Sequence, residues 1–395
     1  MVGIVKTLLE YQDSVSILDK IESSFEFTLH KNPNSYAQIL VEKLHEIGLL
    51  TYPLPENLNG HYLGTAYKGA RLAVDVLEAI GSKDLSLARL YEGHINAVKL
   101  VSKFGTKEQF SRMSESIYNG HIFAIWNTEP SIKLKLEKNG SDFKLVGSKV
   151  FASGVGHINH AIITVQHPSG GTVMVMINLE KTTLVTSTDK WKFNAMYATG
   201  TGEIDLTGID VQKHQIIGDT GDYYKEPDFS AGAWRTLAAQ TGAIKSLYSH
   251  FKNHINENSH SEHPIQRARL GDIAVAYQTA HQWVCKCAEI AERTSGLQAS
   301  HLTSHLKSDD LKADEPKTAI TFINLARRAV TNCAETAMSL VLKGIGARSF
   351  LVQNPVEQIC RDLSFYLKQP SPDFTFDEAA QVLLTKPDSF LHNFS

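Results

Sequence analysis

The strongest constraint on the fold is a change of texture that happens twice. From His121 to about Gly218 the chain breaks into short runs rich in β-branched residues, AIITV, TVMVMI and EIDLTGIDV. Turn signals at Asn139-Gly140 and Pro168-Ser169-Gly170-Gly171 separate them. On either side, apolar residues recur at helical spacing instead. Several short strands in so brief a segment make a compact sheet or barrel. The sequence therefore predicts an α+β chain in three parts: an N-terminal helical domain over 1–119, a small central β-sheet or barrel domain over 120–225, and a C-terminal four-helix bundle over 226–395. A flat ligand is expected where sheet meets bundle.

The helical parts carry their own punctuation. Between Gly69 and Gly81, Leu72, Val76, Leu77 and Ile80 share one face, while Arg71, Asp75 and Glu78 fall elsewhere. A second helix is expected from about Ser86 to Phe104, stopped by Gly105. Thr106-Lys107-Glu108-Gln109 then spells a capping box, and that helix runs to the turn dipeptide Asn119-Gly120. The C-terminal part predicts helices over about 230–257, 266–295, 316–343 and 374–384. In the third, Ile320, Ile323, Ala326, Val330, Cys333 and Ala337 form one stripe. Polar loops are expected at Asn256–His263 and Leu297–Asp314, and Arg327-Arg328 reads as a solvated helix face.

A chain of 395 residues buries enough surface to fold without a disulfide or a structural metal. With 39 basic and 42 acidic residues the net charge is −3, which supports neither a nucleic-acid nor a membrane-surface partner. No apolar run approaches the roughly 20 residues that span a bilayer. The N-terminus has no basic stretch followed by a sustained apolar one, so the expected location is cytoplasmic. Cysteines stand at 285, 287, 333 and 360 in helical segments and read as small core residues. Cys285 and Cys287, two apart on a helix, point in different directions and make no redox pair. His250 and His254 have ligand spacing, with His260 and His263 behind them. No carboxylate or cysteine completes the set, and no metal is expected.

Within the β segment Trp126 and Thr128 fall two apart, as do Phe151 and Ser153, which on an extended chain puts each pair on one face. An aromatic ring with a hydroxyl beside it suits stacking on a flat heteroaromatic ring, such as a flavin, and bonding its edge. The same residue types are also ordinary at half-buried strand positions. Four longer stretches bear on the choice. KFGTKEQFSRMSESIYNGHIFAIWNTEP resembles a Gly-Thr-Glu-Glu-Gln helix followed by a Thr-Glu-Pro strand end, and NGSDFKLVGSKVFASGVGHINHAIITV a Gly-x-Lys-x-Trp-Ile-Thr-Asn strand. GEIDLTGIDVQKHQIIGD resembles a strand ending in Val-Pro with a later glycine, and GIGARSFLVQNPVEQICRD a Gly-Gly-x-Gly stretch followed by Pro-Val-Glu and Arg-Asp. In this order, over nearly the whole chain, the four resemble the acyl-CoA dehydrogenase superfamily.

That resemblance implies FAD between the β domain and the bundle, with its ring beside Trp126, Thr128, Phe151 and Ser153. Thr128 would meet the pyrimidine edge. Ser153 stands where the family has threonine, near flavin N5, and Phe151 where it has tryptophan. Ser131 would donate to phosphate, and Gly344 and Gly346 would let backbone approach the dinucleotide. The implied substrate is a small molecule, an acyl-CoA or another acyl thioester oxidised at a CH–CH bond, and the implied assembly is a homodimer or homotetramer packed through the bundle.

The departures are as informative. The family's glutamate, which removes the substrate α-proton, falls at or next to Pro370 here, and its alternative position near Gly232 to Trp234. No carboxylate stands in either, and Asp373 reads as a surface residue of a Pro-rich turn. Tyr197-Ala198-Thr199-Gly200-Thr201-Gly202, preceded by Trp191, instead resembles the Thr-Gly-Ser stretch of flavin-dependent monooxygenases that share this fold. His94 matches a histidine at that helix position in the same branch, and together with Ser153 is a candidate catalytic residue. Three readings stay open: a dehydrogenase lacking the usual base, a monooxygenase using reduced flavin and O2, and a non-catalytic member of the fold.

Overall fold

The computed structural model describes residues 15–27, 29, 33–131, 133–180, 185–187, 193–258, 260–296, 316–368 and 371–394. Its N-terminal part holds α1 (residues 15–24), α2 (Pro33–Glu46), α3 (Ala70–Lys83), α4 (Leu85–Phe104) and α5 (Lys107–Tyr118). The Asp84 carboxylate accepts from Leu87 N at 2.8 Å and starts α4, which ends at Gly105 as expected. At α5 both arms of the capping box form. Its glutamine does more: Gln109 Nε2 donates at 2.7 Å to the carbonyls of His214 and Ile216, fastening α5 to the end of the β region.

The β region forms two sheets rather than one. Strands β1 (Phe123–Trp126), β2 (Lys135–Asn139), β3 (Asp142–Val146), β5 (His160–Gln166), β6 (Thr172–Asn178), β9 (Asp210–Val211) and β10 (Ile216–Ile217) make the larger, ordered β10-β6-β5-β2-β3-β9, with β1 also on β5. The smaller is β4 (Ser148–Ala152), β8 (Gly202–Asp205) and β7 (Val185–Ser187), ordered β4-β8-β7. The stretch 143–154, which reads as one extended run in sequence, is therefore split. Gly147, at φ +120°, turns the chain from β3 in one sheet to β4 in the other, a conformation that side chains rarely adopt.

The C-terminal part holds α6 (Asp228–Ala231), α7 (Ala233–Glu257), α8 (Pro264–Gly296), α9 (Pro316–Ile345), α10 (Pro355–Tyr366) and α11 (Pro372–Thr385). Four of these match the predicted blocks. The sequence reading missed α10, although Asn354 caps it through Val356 N and Pro355 opens it. The first part does not stand apart from the bundle: α3 and α7 touch backbone to backbone. A Cβ on Gly242 would lie 2.3 Å from the Glu78 carbonyl oxygen, and one on Gly81 2.4 Å from that of Ala239. One contiguous apolar core runs from Ile17 through the sheet residues to Leu367.

Candidate functional site

The aromatic-and-hydroxyl pairs are not what an extended chain would make them. Trp126 ends β1 inside the core, 1% exposed, while Thr128 lies beyond the strand and is exposed. Phe151 sits at φ +54°, where the β4–β8 register shifts between Lys149 and Ala152. Its ring is 45% exposed, while Ser153 is buried. A bulge with a left-handed non-glycine residue re-aims a side chain and stores strain, a combination common at functional sites. Trp126 thus braces Ser153 instead of forming an open wall: its indole N–H donates to the Ser153 carbonyl at 2.9 Å.

Two of the motifs prove to be one physical unit. The Lys149 side chain is 0% exposed, and its ammonium donates to Glu129 at 2.8 Å and to Asn127 O and Thr164 Oγ1 at 3.0 Å each. The lysine of one motif thus holds the Thr-Glu-Pro turn of the other, and Val150 N donates to the Thr128 carbonyl at 3.1 Å beside it. Burial pulls the Lys149 pKa down and Glu129 opposes the fall.

Ser153 begins a chain of three buried hydroxyls. Thr201 Oγ1 lies 3.3 Å from Ser153 Oγ and 2.7 Å from Thr199 Oγ1, which in turn reaches the Met196 carbonyl at 2.7 Å. Each hydroxyl has one proton to give. Thr199 gives its proton to the Met196 carbonyl, which can only accept, so Thr201 gives its own either to Thr199 or to Ser153, and in the second case Ser153 keeps its proton for an acceptor outside this chain. The turn carrying these threonines is clamped from α10: Asp362 accepts from Met196 N at 2.8 Å, and Arg361 donates to the Asn194 carbonyl while held by Glu357 at 3.0 Å. The clamp also lines up rings. Phe151 and Phe193 lie 6.0 Å apart by centroid, and Phe193 and Phe365 5.1 Å, with Phe193 45% exposed.

Behind α10 lies a polar interior that sequence reading did not find. Glu92 on α4 accepts from Arg89 and Asn96, each at 2.7 Å, and meets the Tyr366 hydroxyl at 3.5 Å. Arg235 and Glu292, both 1% exposed, pair at 2.6 Å. Arg235 also donates to Gly64 O and Asn96 Oδ1, and Glu292 also accepts from Lys99 at 2.5 Å and from the Trp234 indole at 3.1 Å. Lys103 pairs with Asp228 at 2.5 Å. Burial lowers the Lys99 pKa to about 8 against the pull of Glu292. The signal was present in α4: Arg89, Glu92, Asn96, Lys99 and Lys103 recur every three or four residues along a helix that is otherwise almost wholly buried.

The remaining predicted positions divide. His94 is 0% exposed, with Nε2 on the Leu50 carbonyl at 2.9 Å and Nδ1 accepting from Phe123 N at 3.2 Å. Burial lowers its pKa to about 4. Both nitrogens are thus used on backbone, so it ties α4 to β1 instead of presenting a catalytic group. Gly344 is a packing glycine: a Cβ there would lie 2.3 Å from Phe251, and its carbonyl accepts from Gln266 at 2.9 Å. Gly346, at φ +73° with open space at its Cβ position, keeps the room the dinucleotide expectation needs. Ser131 is exposed at a bend. Asp373 is a surface residue with a 96% exposed side chain. Arg327 is half-buried rather than solvated, and only Arg328 faces solvent. His250 packs edge-on to Phe27 at 5.1 Å. Trp191, the 297–314 loop and Pro370 lie outside the described residues. Trp126 also reaches a cavity of about 730 Å³, shared with Glu42, His45, His157 and Asn159.

No known family's sequence model matches the chain. Among solved structures it is similar to TdsC from Paenibacillus sp., a dibenzothiophene monooxygenase, in complex with FMN and indole. The TM-score is 0.79 at 15% identity, over 94% of this chain and 97% of that one. It is similar to XiaF from Streptomyces sp. in complex with FADH2 and glycerol (0.77, 14% identity, 98% of each chain). A glutaryl-coenzyme A dehydrogenase in complex with glutaryl-CoA aligns at 0.73, 15% identity and 94% of each chain. The protein has the acyl-CoA dehydrogenase fold, which this dehydrogenase and the TdsC monooxygenase share. The helical, β, helical order expected from the sequence is its architecture.

Proposed function

We propose that this chain is a flavin-dependent oxidoreductase acting on a small molecule, with reduced flavin and O2 in a monooxygenase-type reaction. The observation that carries this reading is the Ser153–Thr201–Thr199 hydroxyl chain, together with four buried carboxylates among the described residues that are already engaged. Glu92, Glu292, Asp228 and Asp362 each hold cations or backbone amides. An α-proton base must reach its proton within about 3 Å, and neither family glutamate position carries an acid.

The residues present fit a flavin ring. Phe151, Phe193 and Phe365 offer an apolar row of the kind a flat ring packs against, and Ser153 supplies a hydroxyl two residues from Phe151. When bound, the flavin supplies electron transfer and, once reduced, reaction with O2. The chain's part is to hold and to position. Trp126 and the Gly154 N bond to Thr199 O at 2.7 Å fix the Ser153 backbone, so its hydroxyl can give one proton at a set point and be refilled from Thr201. Known neighbours carry either FMN or an adenine dinucleotide form, and Ser131 with Gly346 supports FAD as the form taken here. Phe350, Leu351 and Val352, 68%, 46% and 83% exposed, support self-association as a homodimer or homotetramer.

A second reading, dehydrogenation of an acyl thioester, rests on the four ordered motifs and leaves the base unassigned. Purified protein titrated with FMN and with FAD tests all readings. A preparation colourless near ~450 nm that takes up neither would leave the non-catalytic reading alone standing. If flavin binds, anaerobic bleaching by a panel of acyl-CoA thioesters supports the dehydrogenase. Absence of bleaching with rapid O2 consumption by the reduced form supports the monooxygenase.

A further inference from the structure

Away from the flavin-facing residues, α3 and α8 bring a second reactive group to the surface. His281 and Cys285 lie one turn apart on α8. Across from them, Glu78 on α3 accepts His281 Nδ1–H at 2.9 Å and the Tyr277 hydroxyl at 3.1 Å. The Glu78 side chain is only 4% exposed, so it holds the imidazole tautomer firmly and turns Nε2, as an acceptor, toward Arg71 and Cys285. That nitrogen lies 3.5 Å from Cys285 Sγ. Arg71 completes the set, donating from Nη1 to Sγ at 2.8 Å, with Nη2 3.0 Å from His281 Nε2 and Nε held by Asp75 at 3.3 Å.

We propose that Cys285 is a peroxide-reactive thiol, with His281 as its base, Glu78 orienting that base and Arg71 holding the sulfur. A thiol, a base and an acidic orienter within hydrogen-bond reach are the general arrangement of an activated nucleophile. The other cysteines lack it. Burial pushes the thiols of Cys287, Cys333 and Cys360 upward, that of Cys360 to about 12. Cys285 is half-buried, and its Arg71 partner has a 62% exposed side chain, so a small oxidant can reach the pair.

In the step proposed, His281 Nε2, released from its hydrogen bond with Arg71 Nη2, takes the thiol proton. The sulfur then attacks one oxygen of a hydroperoxide, forming an S–O bond and breaking the O–O bond. Sulfur gives up two electrons and becomes a sulfenic acid. The departing oxygen takes them, collects the proton from His281 and leaves as water or an alcohol. The oxidant is the hydroperoxide itself, so nothing further is needed.

The test uses the full chain at pH 7 with hydrogen peroxide as probe, a sulfenic-acid trap, and peptide mass spectrometry read at each cysteine. Cys285 is expected to be trapped on the order of 100-fold faster in the native chain than in the urea-unfolded chain, the low end of what a placed acid–base group supplies. His281→Gln should remove most of that advantage, and Arg71→Lys should retain more of it than Arg71→Gln. The native-to-unfolded ratio needs no variant, so a misfolded His281→Gln does not spoil the test. Equal rates in native and unfolded chains, oxidation spread evenly over the four cysteines, or fast alkylation without peroxide oxidation would each overturn the proposal.

Discussion

Replacing Glu292 by glutamine should expose how much the buried charges carry. The carboxylate takes Arg235, Lys99 and the Trp234 indole, and Glu292 and Arg235 are each 1% exposed. The amide keeps the shape but leaves two cations without a counter-charge in a place water hardly reaches. Removing one partner of a buried pair costs about 3–5 kcal/mol. Unfolding entropy of about 2.1 cal/mol/K per residue gives about 0.8 kcal/mol/K for a chain of this length. A loss of about 4 kcal/mol then lowers the melting midpoint by about 5 °C. Differential scanning calorimetry reads the shift directly. The double variant Glu292→Gln/Lys99→Met should recover part of it, because one stranded cation has gone. A Glu292→Gln protein melting within about 1 °C of its parent would refute the reasoning.

His94 makes stability depend on acidity. Its pKa falls from 6.5 to about 4 on folding, so between those values the unfolded chain binds a proton that the folded chain refuses. Stability is therefore complete above pH 6.5 and is lost as the pH falls toward 4, by about 3 kcal/mol, and urea midpoints across that range for parent and His94→Gln check it. Ser153→Ala removes the hydroxyl that ends the Thr199–Thr201 chain. On the monooxygenase reading it should slow substrate oxygenation by on the order of 10²-fold, and stopped-flow rates equal to the parent's would show the ring to lie elsewhere. Gly242→Ala must push α7 off α3, given 2.3 Å between its new Cβ and the Glu78 carbonyl oxygen. A loss of about 1–3 kcal/mol in urea unfolding is expected.

The sequence was most legible where a local rule is enough. The stop at Gly105, the Thr106 box and the long helices follow from neighbours within a turn or two, and α4, α5, α7, α8, α9 and α11 lie close to their predicted ranges. The split at Gly147 was not legible, because alternation looks the same in one long strand as in two strands of different sheets. That Phe151 is exposed was not legible either, because the chain there is not extended. A bulge at φ +54° exposes it, and no period-2 argument contains a bulge. His94 was misread because a histidine's role depends on where its two nitrogens go. Here they go to Leu50 and Phe123, 44 and 29 residues away in sequence.

The motifs that signalled the fold turn out to be mostly fasteners rather than reactive groups. Gln109 ties α5 to the carbonyls at 214 and 216, Lys149 ties β4 to the turn at 127–129, and Arg361 with Asp362 ties α10 to the turn at 194–196. Each joins segments far apart in sequence, and each ends on backbone, where another side chain of similar reach would miss the geometry. Together they bring Phe151, Ser153, Thr201, Phe193 and Phe365 to one place from β4 and its end, the 193–201 turn and α10. A chain can therefore lack a carboxylate at the positions the resemblance points to and keep the frame, since other residues fasten it. What such a frame then does is set by the few groups that can still meet a ligand. On the monooxygenase reading proposed above those are the Phe151 ring, 45% exposed, and the Ser153 hydroxyl, which together would hold a flat redox ring and give it one hydrogen bond.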